Sequence, residues 1–222
     1  MEYRILGRTG LRVSAVALGC EGFIHKTPEE VCADFDFAIG HGVNFIDIYS
    51  PNPELRTNIG AALEGRRGDF VIQGHLCTTW ENGQYLRTRD PEKTLASFDL
   101  QLQQLRTDCL DIGMIHYVDA EADFHRVFGG EIIRIAQRLR EEGRIRHIGI
   151  SSHNPAVARQ AAETGLIDVL MFSLNPCYDL CRRATTWTRS GPTKAMRRSC
   201  TTSTPNASGS TNSANAKAWR ST

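Results

Sequence analysis

Titratable side chains recur at one place in the pattern of this sequence, just past the end of a short apolar run. Asp47 follows residues 43–46, His75 follows 70–72, His116 follows 110–115, and Ser151-Ser152-His153 follows 145–150. An imidazole changes charge near neutrality, with an unperturbed pKa of about 6.5, so His75 and His116 are suited to moving protons. Tyr49 lies two residues beyond Asp47, on the same side of an extended strand, and adds a phenol there. The same groups could instead serve a metal-dependent barrel hydrolase. Asp47, His75, His116 and His153 offer the carboxylate and imidazole ligands that zinc takes. Against that reading, the first apolar run carries no His-x-His pair and the rest of the chain no acid-rich cluster.

Such residues act together only if the elements beneath them converge. Apolar, β-rich runs at 15–18, 43–46, 70–72, 110–115, 145–150 and 169–172 alternate with segments of helical period, the pattern of a parallel α/β sheet. Thr27-Pro28-Glu29-Glu30 is a capping box with proline at the first helical position. Asp90-Pro91-Glu92 and Asn154-Pro155 start two further helices. Gly40, Gly42, Gly65, Gly143 and Gly165 follow helices, where left-handed C-terminal caps are expected. Ahead of the repeats, residues 3–6 and 11–13 flank a Gly-Arg-Thr-Gly turn and predict a hairpin. Polar groups at the end of nearly every strand favour a (β/α)8 barrel, which gathers all its strand ends on one face. A doubly wound sheet gathers only those at its switch point, and the first turn, Gly19-Cys20-Glu21-Gly22, is no dinucleotide fingerprint.

Four motifs carry a resemblance. Tyr3-Arg4-Ile5-Leu6-Gly7-Arg8-Thr9-Gly10-Leu11-Arg12-Val13-Ser14 resembles the N-terminal hairpin of the aldo/keto reductases, and Gly42-Val43-Asn44-Phe45-Ile46-Asp47 their second strand. Asn58-Ile59-Gly60-Ala61-Ala62-Leu63 is similar to the helix that follows it, and Gly143-Arg144-Ile145-Arg146-His147-Ile148-Gly149-Ile150-Ser151 to the fifth strand. The match runs from about residue 3 to 180. It implies a TIM barrel that binds NADP(H), with NADH also possible, and reduces a small-molecule carbonyl to an alcohol. In that family a tyrosine donates the proton, a lysine held by an aspartate lowers its pKa, and a histidine orients the substrate oxygen. Asp47 stands at the aspartate and His116 at the histidine. The lysine's place is taken by His75 and the tyrosine's by Asn52, with Tyr49 the nearest phenol. Proton donation by Tyr49 and by His75 both stay open, because a histidine can itself donate near neutrality. Ser151, Ser152 and Asn175 resemble the side chains that hydrogen-bond the nicotinamide carboxamide.

Composition divides the chain. Residues 181–222 hold eight Lys or Arg and no Asp or Glu, 16 Ser or Thr, and no Leu, Ile, Val, Phe or Tyr. With so little to bury, this basic tail is expected to be disordered. Its two tryptophans are too few for a base-stacking platform, so nucleic acid is not expected as a partner. Residues 1–180 keep 18 basic and 25 acidic side chains, a net of −7. A whole (β/α)8 barrel takes about 250 residues, so we expect an α/β barrel truncated after about six βα units, with an N-terminal β-hairpin. Read one base out of frame, residues 201–208 can encode His-Asn-Ile-Asp-Pro-Glu-Arg-Glu, a plausible helix start. This fits a natural frame lost near residue 180, and a non-catalytic truncated product is the remaining alternative. No apolar run approaches the roughly 18 residues of a membrane span. The seven scattered cysteines form no CxxC pair, which suits free thiols and a cytoplasmic setting.

Overall fold

The computed structural model describes residues 1–174. Asn175 and the basic tail lie outside the described residues. The expected hairpin is present: β1 (Tyr3–Ile5) pairs antiparallel with β2 (Arg12–Ser14). Six strands then form one curled parallel sheet. They are β3 (Leu18–Gly19), β4 (Phe45–Ile48), β5 (Val71–Leu76), β8 (Leu110–Ile115), β9 (Ile145–Ser152) and β10 (Val169–Phe172), paired in that order. A separate antiparallel hairpin, β6 (Thr78–Glu81) and β7 (Gln84–Arg87), is inserted after β5. This is the (β/α)8 arrangement through its sixth strand.

The helices between the strands are α1 (Pro28–Gly40), α2 (Pro53–Ala62), α3 (Pro91–Gln104), α4 (Glu121–Phe128), α5 (Glu131–Glu141) and α6 (Pro155–Glu163). Four of them start as their sequences dictate, with a side chain satisfying an orphan backbone donor and proline just inside. The Thr27–Glu30 capping box opens α1, and Asn52, Asp90 and Asn154 accept from backbone N–H groups of α2, α3 and α6. The expected left-handed glycines are found at Gly42, Gly65, Gly143 and Gly165, whereas Gly40 is the last residue of α1.

The period of two divides each strand between two environments. In register, Asp47 lies beside Gln73, Gln73 beside Ile112, His75 beside Met114, Met114 beside Gly149, and Ser151 beside Met171. These residues share the inner face. There Phe45, Ile112, Met114 and Val169 pack with Leu6 and Val13 of the hairpin, which plugs the N-terminal end. Gly149 makes room: a Cβ at that position would sit 2.7 Å from Met114 Cε. The alternate residues, among them Ile46, Ile48, Ile72, Leu76, Ile148 and Ile150, pack outward with Phe35, Ile59, Phe98 and Leu139 of the helices. The inner face therefore changes from apolar at the hairpin end to polar at the strands' C-terminal ends.

Three sequence readings need correction. The first sheet strand is confined to Leu18–Gly19 and does not extend over residues 15–18. The second sheet strand begins at Phe45, not Val43, because Asn44 is tied to the hairpin. Its Oδ1 accepts from Ser14 N at 2.6 Å and its Nδ2 donates to Arg12 O at 2.9 Å. The hairpin β6–β7 was not anticipated at all.

Candidate active site

Three strand ends bring a chain of side chains together. Asp47 closes the inner face of β4, His75 that of β5, and His116 follows β8; they are 8%, 3% and 9% exposed. His75 Nε2 lies 3.0 Å from Asp47 Oδ1, and its Nδ1 lies 2.7 Å from Nδ1 of His116. Gln73 Nε2 also donates to Asp47 Oδ1, at 2.6 Å, orienting the carboxylate from the neighbouring strand. The fourth member is Tyr85, whose hydroxyl lies 2.7 Å from His116 Nε2. Burial, with His75 close by, holds the His116 pKa well below its ordinary value, so its ring is neutral.

Tyr85 comes from the unanticipated hairpin. Asn82 and Gly83, with φ of 53° and 77°, form its two-residue turn, and Trp80 pairs with Tyr85 across it. Asn82-Gly83, with Trp80 and Tyr85 one residue further out on either side, was the signal that could have located it. The hairpin is fastened to the sheet. Thr88 N donates to Cys77 O at 2.9 Å, and Arg87 to Tyr117 O at 2.9 Å. Buried Arg89 bonds Asp123 through two nitrogens, at 2.9 and 2.7 Å, and donates to His116 O at 2.8 Å. Cys77 and Tyr117, where the chain leaves β5 and β8, take φ of 67° and 54°, a costly conformation for side chains of this size.

Tyr49 faces the same group, its ring stacked on His116 with centroids 5.8 Å apart and planes within 5°. Its hydroxyl donates to Glu21 instead of pointing at a substrate. Burial, and after it the Glu21 carboxylate, pushes its pKa upward, and burial raises that of Tyr85 as well; what separates the two phenols is the partner, a carboxylate for Tyr49 and His116 for Tyr85. Asn52 is occupied as the cap of α2, its Oδ1 accepting from Leu55 N at 3.1 Å. Asp47 therefore does not cap that helix.

Ser151 lies on the inner face, where its Oγ accepts from Tyr117 N at 2.7 Å. Ser152 points the other way: its Oγ donates to Asp119 Oδ1 at 3.2 Å and accepts from Asn154 N at 3.2 Å. His153 is set apart as well, paired with Asp119 at 3.1 Å. Of the four residues of the metal reading, His153 thus lies apart from the other three, and no three His, Cys, Asp or Glu side chains form a metal-ligand group among the described residues.

The sequence profile of the aldo/keto reductase family matches residues 16–186. The chain belongs to that family. An uncharacterized oxidoreductase of Bacillus subtilis, YqkF, is 28% identical over 180 residues, which cover 78% of this chain and 57% of YqkF. Among solved structures, PA4992 of Pseudomonas aeruginosa, a candidate aldo-keto reductase, is 25% identical with a TM-score of 0.70, covering 78% of this chain and 68% of that one. The holo form of AKR11C1, an aldo-keto reductase of Bacillus halodurans, is 25% identical with a TM-score of 0.69, covering 78% and 58%. The chain thus spans somewhat over half the length of its curated relative, and its fold overlays those of the two solved structures.

Proposed function

We propose that the chain is part of an NADP(H)-dependent reductase that converts a small-molecule carbonyl to an alcohol. The observation that carries the reading is the continuous hydrogen-bonded group Asp47–His75–His116 at the C-terminal ends of three adjacent inner-face strands, where a barrel of this kind gathers its chemistry. The nicotinamide end of the cofactor fits the same face. Ser151 Oγ uses a lone pair to accept from Tyr117 N, which leaves its O–H free to donate to a carboxamide oxygen. Ser152 is spent on Asp119 and Asn154, so the contact is assigned to Ser151. Bound NADPH supplies the hydride; the chain's own residues position the carbonyl and deliver the proton. Asp47 orients His75, His75 meets His116, and Tyr49 holds the His116 ring by stacking.

The test is a titration of the chain with NADPH and, separately, NADH, followed by nicotinamide fluorescence. We expect a saturable change, tighter for one cofactor, that Ser151→Val weakens by about tenfold, the effect of losing roughly one hydrogen bond. No change with either cofactor at millimolar concentration would remove the reading for this chain.

A further inference from the structure

We infer that Tyr85 is the terminal proton donor of this site, and that it draws its proton through a relay of His116 and His75 ending at Asp47. The inference rests on the oxidoreductase reading above. With Asp47 ionised and both rings neutral, the hydrogen bonds at the site leave one arrangement of protons. With Asp47 as carboxylate, His75 must donate from Nε2, 3.0 Å away. A neutral His75 then has a bare Nδ1, so the single proton in the 2.7 Å contact between the two Nδ1 atoms belongs to His116. His116 in turn has a bare Nε2, and the Tyr85 hydroxyl donates to it at 2.7 Å. All three bonds run inward, from Tyr85 toward Asp47.

In this state the Tyr85 oxygen is set to receive a proton from an alcohol. One shift moves the Tyr85 proton to His116 Nε2, the His116 Nδ1 proton to His75 Nδ1, and the His75 Nε2 proton to Asp47. Each imidazole exchanges one N–H for another and stays neutral throughout, as a buried site demands. Carbonyl reduction uses the reverse. With one further proton on the relay, held at Asp47, both rings take the opposite tautomer, His116 Nε2 donates to Tyr85, and the Tyr85 O–H points outward. The substrate oxygen takes that proton, and the relay moves one step to restore it. His116 itself offers a substrate nothing, since Tyr85 and His75 occupy both of its nitrogens. Tyr85 sits at the mouth, 39% exposed, and bridges solvent to the buried group.

The charged and titratable groups facing the relay are Arg87, Arg89 and Tyr117 near Tyr85, His153 beyond His116, Cys20 near Asp47, and Tyr49 with Glu21 behind it. None of them interrupts the line of donors. Because reduction needs the extra proton, its rate should fall as pH rises through the apparent pKa of the relay, which belongs to the group and not to one residue.

Ring-nitrogen NMR on the chain labelled with ¹⁵N-histidine reads the arrangement without cofactor. We expect opposite neutral tautomers, His75 protonated at Nε2 and His116 at Nδ1. Tyr85→Phe should move the His116 Nε2 signal toward that of a free imine nitrogen. In single-turnover reduction of 4-nitrobenzaldehyde at saturating NADPH, with the protein in excess, Tyr85→Phe should lower the rate by about 10²–10⁴-fold and leave NADPH fluorescence titrations unchanged. With spectra taken above the apparent pKa of the relay, where the further proton is absent, His116 protonated at Nε2 in the unmodified chain, or rings unmoved by Tyr85→Phe, overturns the relay even if NADPH binds. Correct tautomers with a Tyr85→Phe rate within tenfold overturn the catalytic assignment. Correct tautomers without NADPH binding take away the oxidoreductase reading, and Tyr85's role with it, while the hydrogen-bonded line stands.

Discussion

His116 is surrounded on every side that matters: Tyr85 and His75 hold its nitrogens, Tyr49 covers its ring, and Arg89 bonds its carbonyl. Burial keeps it neutral in the folded chain, with a pKa below the unfolded value of about 6.5. The unfolded chain therefore binds a proton that the folded one refuses. Its contribution to stability is complete above about pH 6.5 and is lost as pH falls from there toward the lowered folded value. We expect the thermal unfolding midpoint to decline on acidification through that window, and His116→Gln to flatten the decline. A midpoint that holds steady or rises across it would contradict the neutral, buried ring. The same crowding separates the two tyrosines. Tyr49, with its hydroxyl spent on Glu21, contributes a flat surface, whereas Tyr85 contributes an oxygen on the proton line.

Among the elements, α2 shows how closely helices must approach to keep this geometry. Gly60 faces the end of α3, where a Cβ would lie 2.0 Å from the Gln104 carbonyl oxygen. That neighbour is backbone and cannot rotate away, so Gly60→Ala must push α2 from α3. Overpacking of this kind costs about 1–3 kcal/mol, a fall of a few degrees in unfolding temperature for a domain of this size, readable by calorimetry. The hairpin β6–β7 is the opposite case. Its second strand, β7, is exposed throughout, and the hairpin is placed by Arg87 and Arg89 gripping the loop that follows β8.

At the scale of the molecule, the sheet order leaves β3 and β10 each with one strand partner among the described residues. Parallel edges of this sort are templates for further pairing. We expect the 222-residue chain to self-associate, with sedimentation showing mass above the monomer and increasing with concentration. A monomer at all concentrations with a single sharp unfolding transition would mean that both edges are covered. No helix among the described residues is long and apolar enough to cross a membrane.

Much of this was readable from local patterns. Caps at Thr27, Asp90 and Asn154, two-residue alternation in the strands and polar groups at strand ends depend on neighbours in the chain, so residue order alone determined the alternating architecture. It also placed Asp47, Tyr49, His75 and His116 on one face, because period-two geometry carries them there. What only the tertiary structure decided was which polar atoms meet. Ser151 and Ser152 are equivalent in type and adjacent in sequence, yet one faces the inner surface and the other Asp119. Tyr85 lies 31 residues from His116 and reaches it only because a small hairpin folds back over two strand ends. Proton chemistry is decided by distances below about 3 Å, and such distances between remote residues are set by packing, not by spacing along the chain.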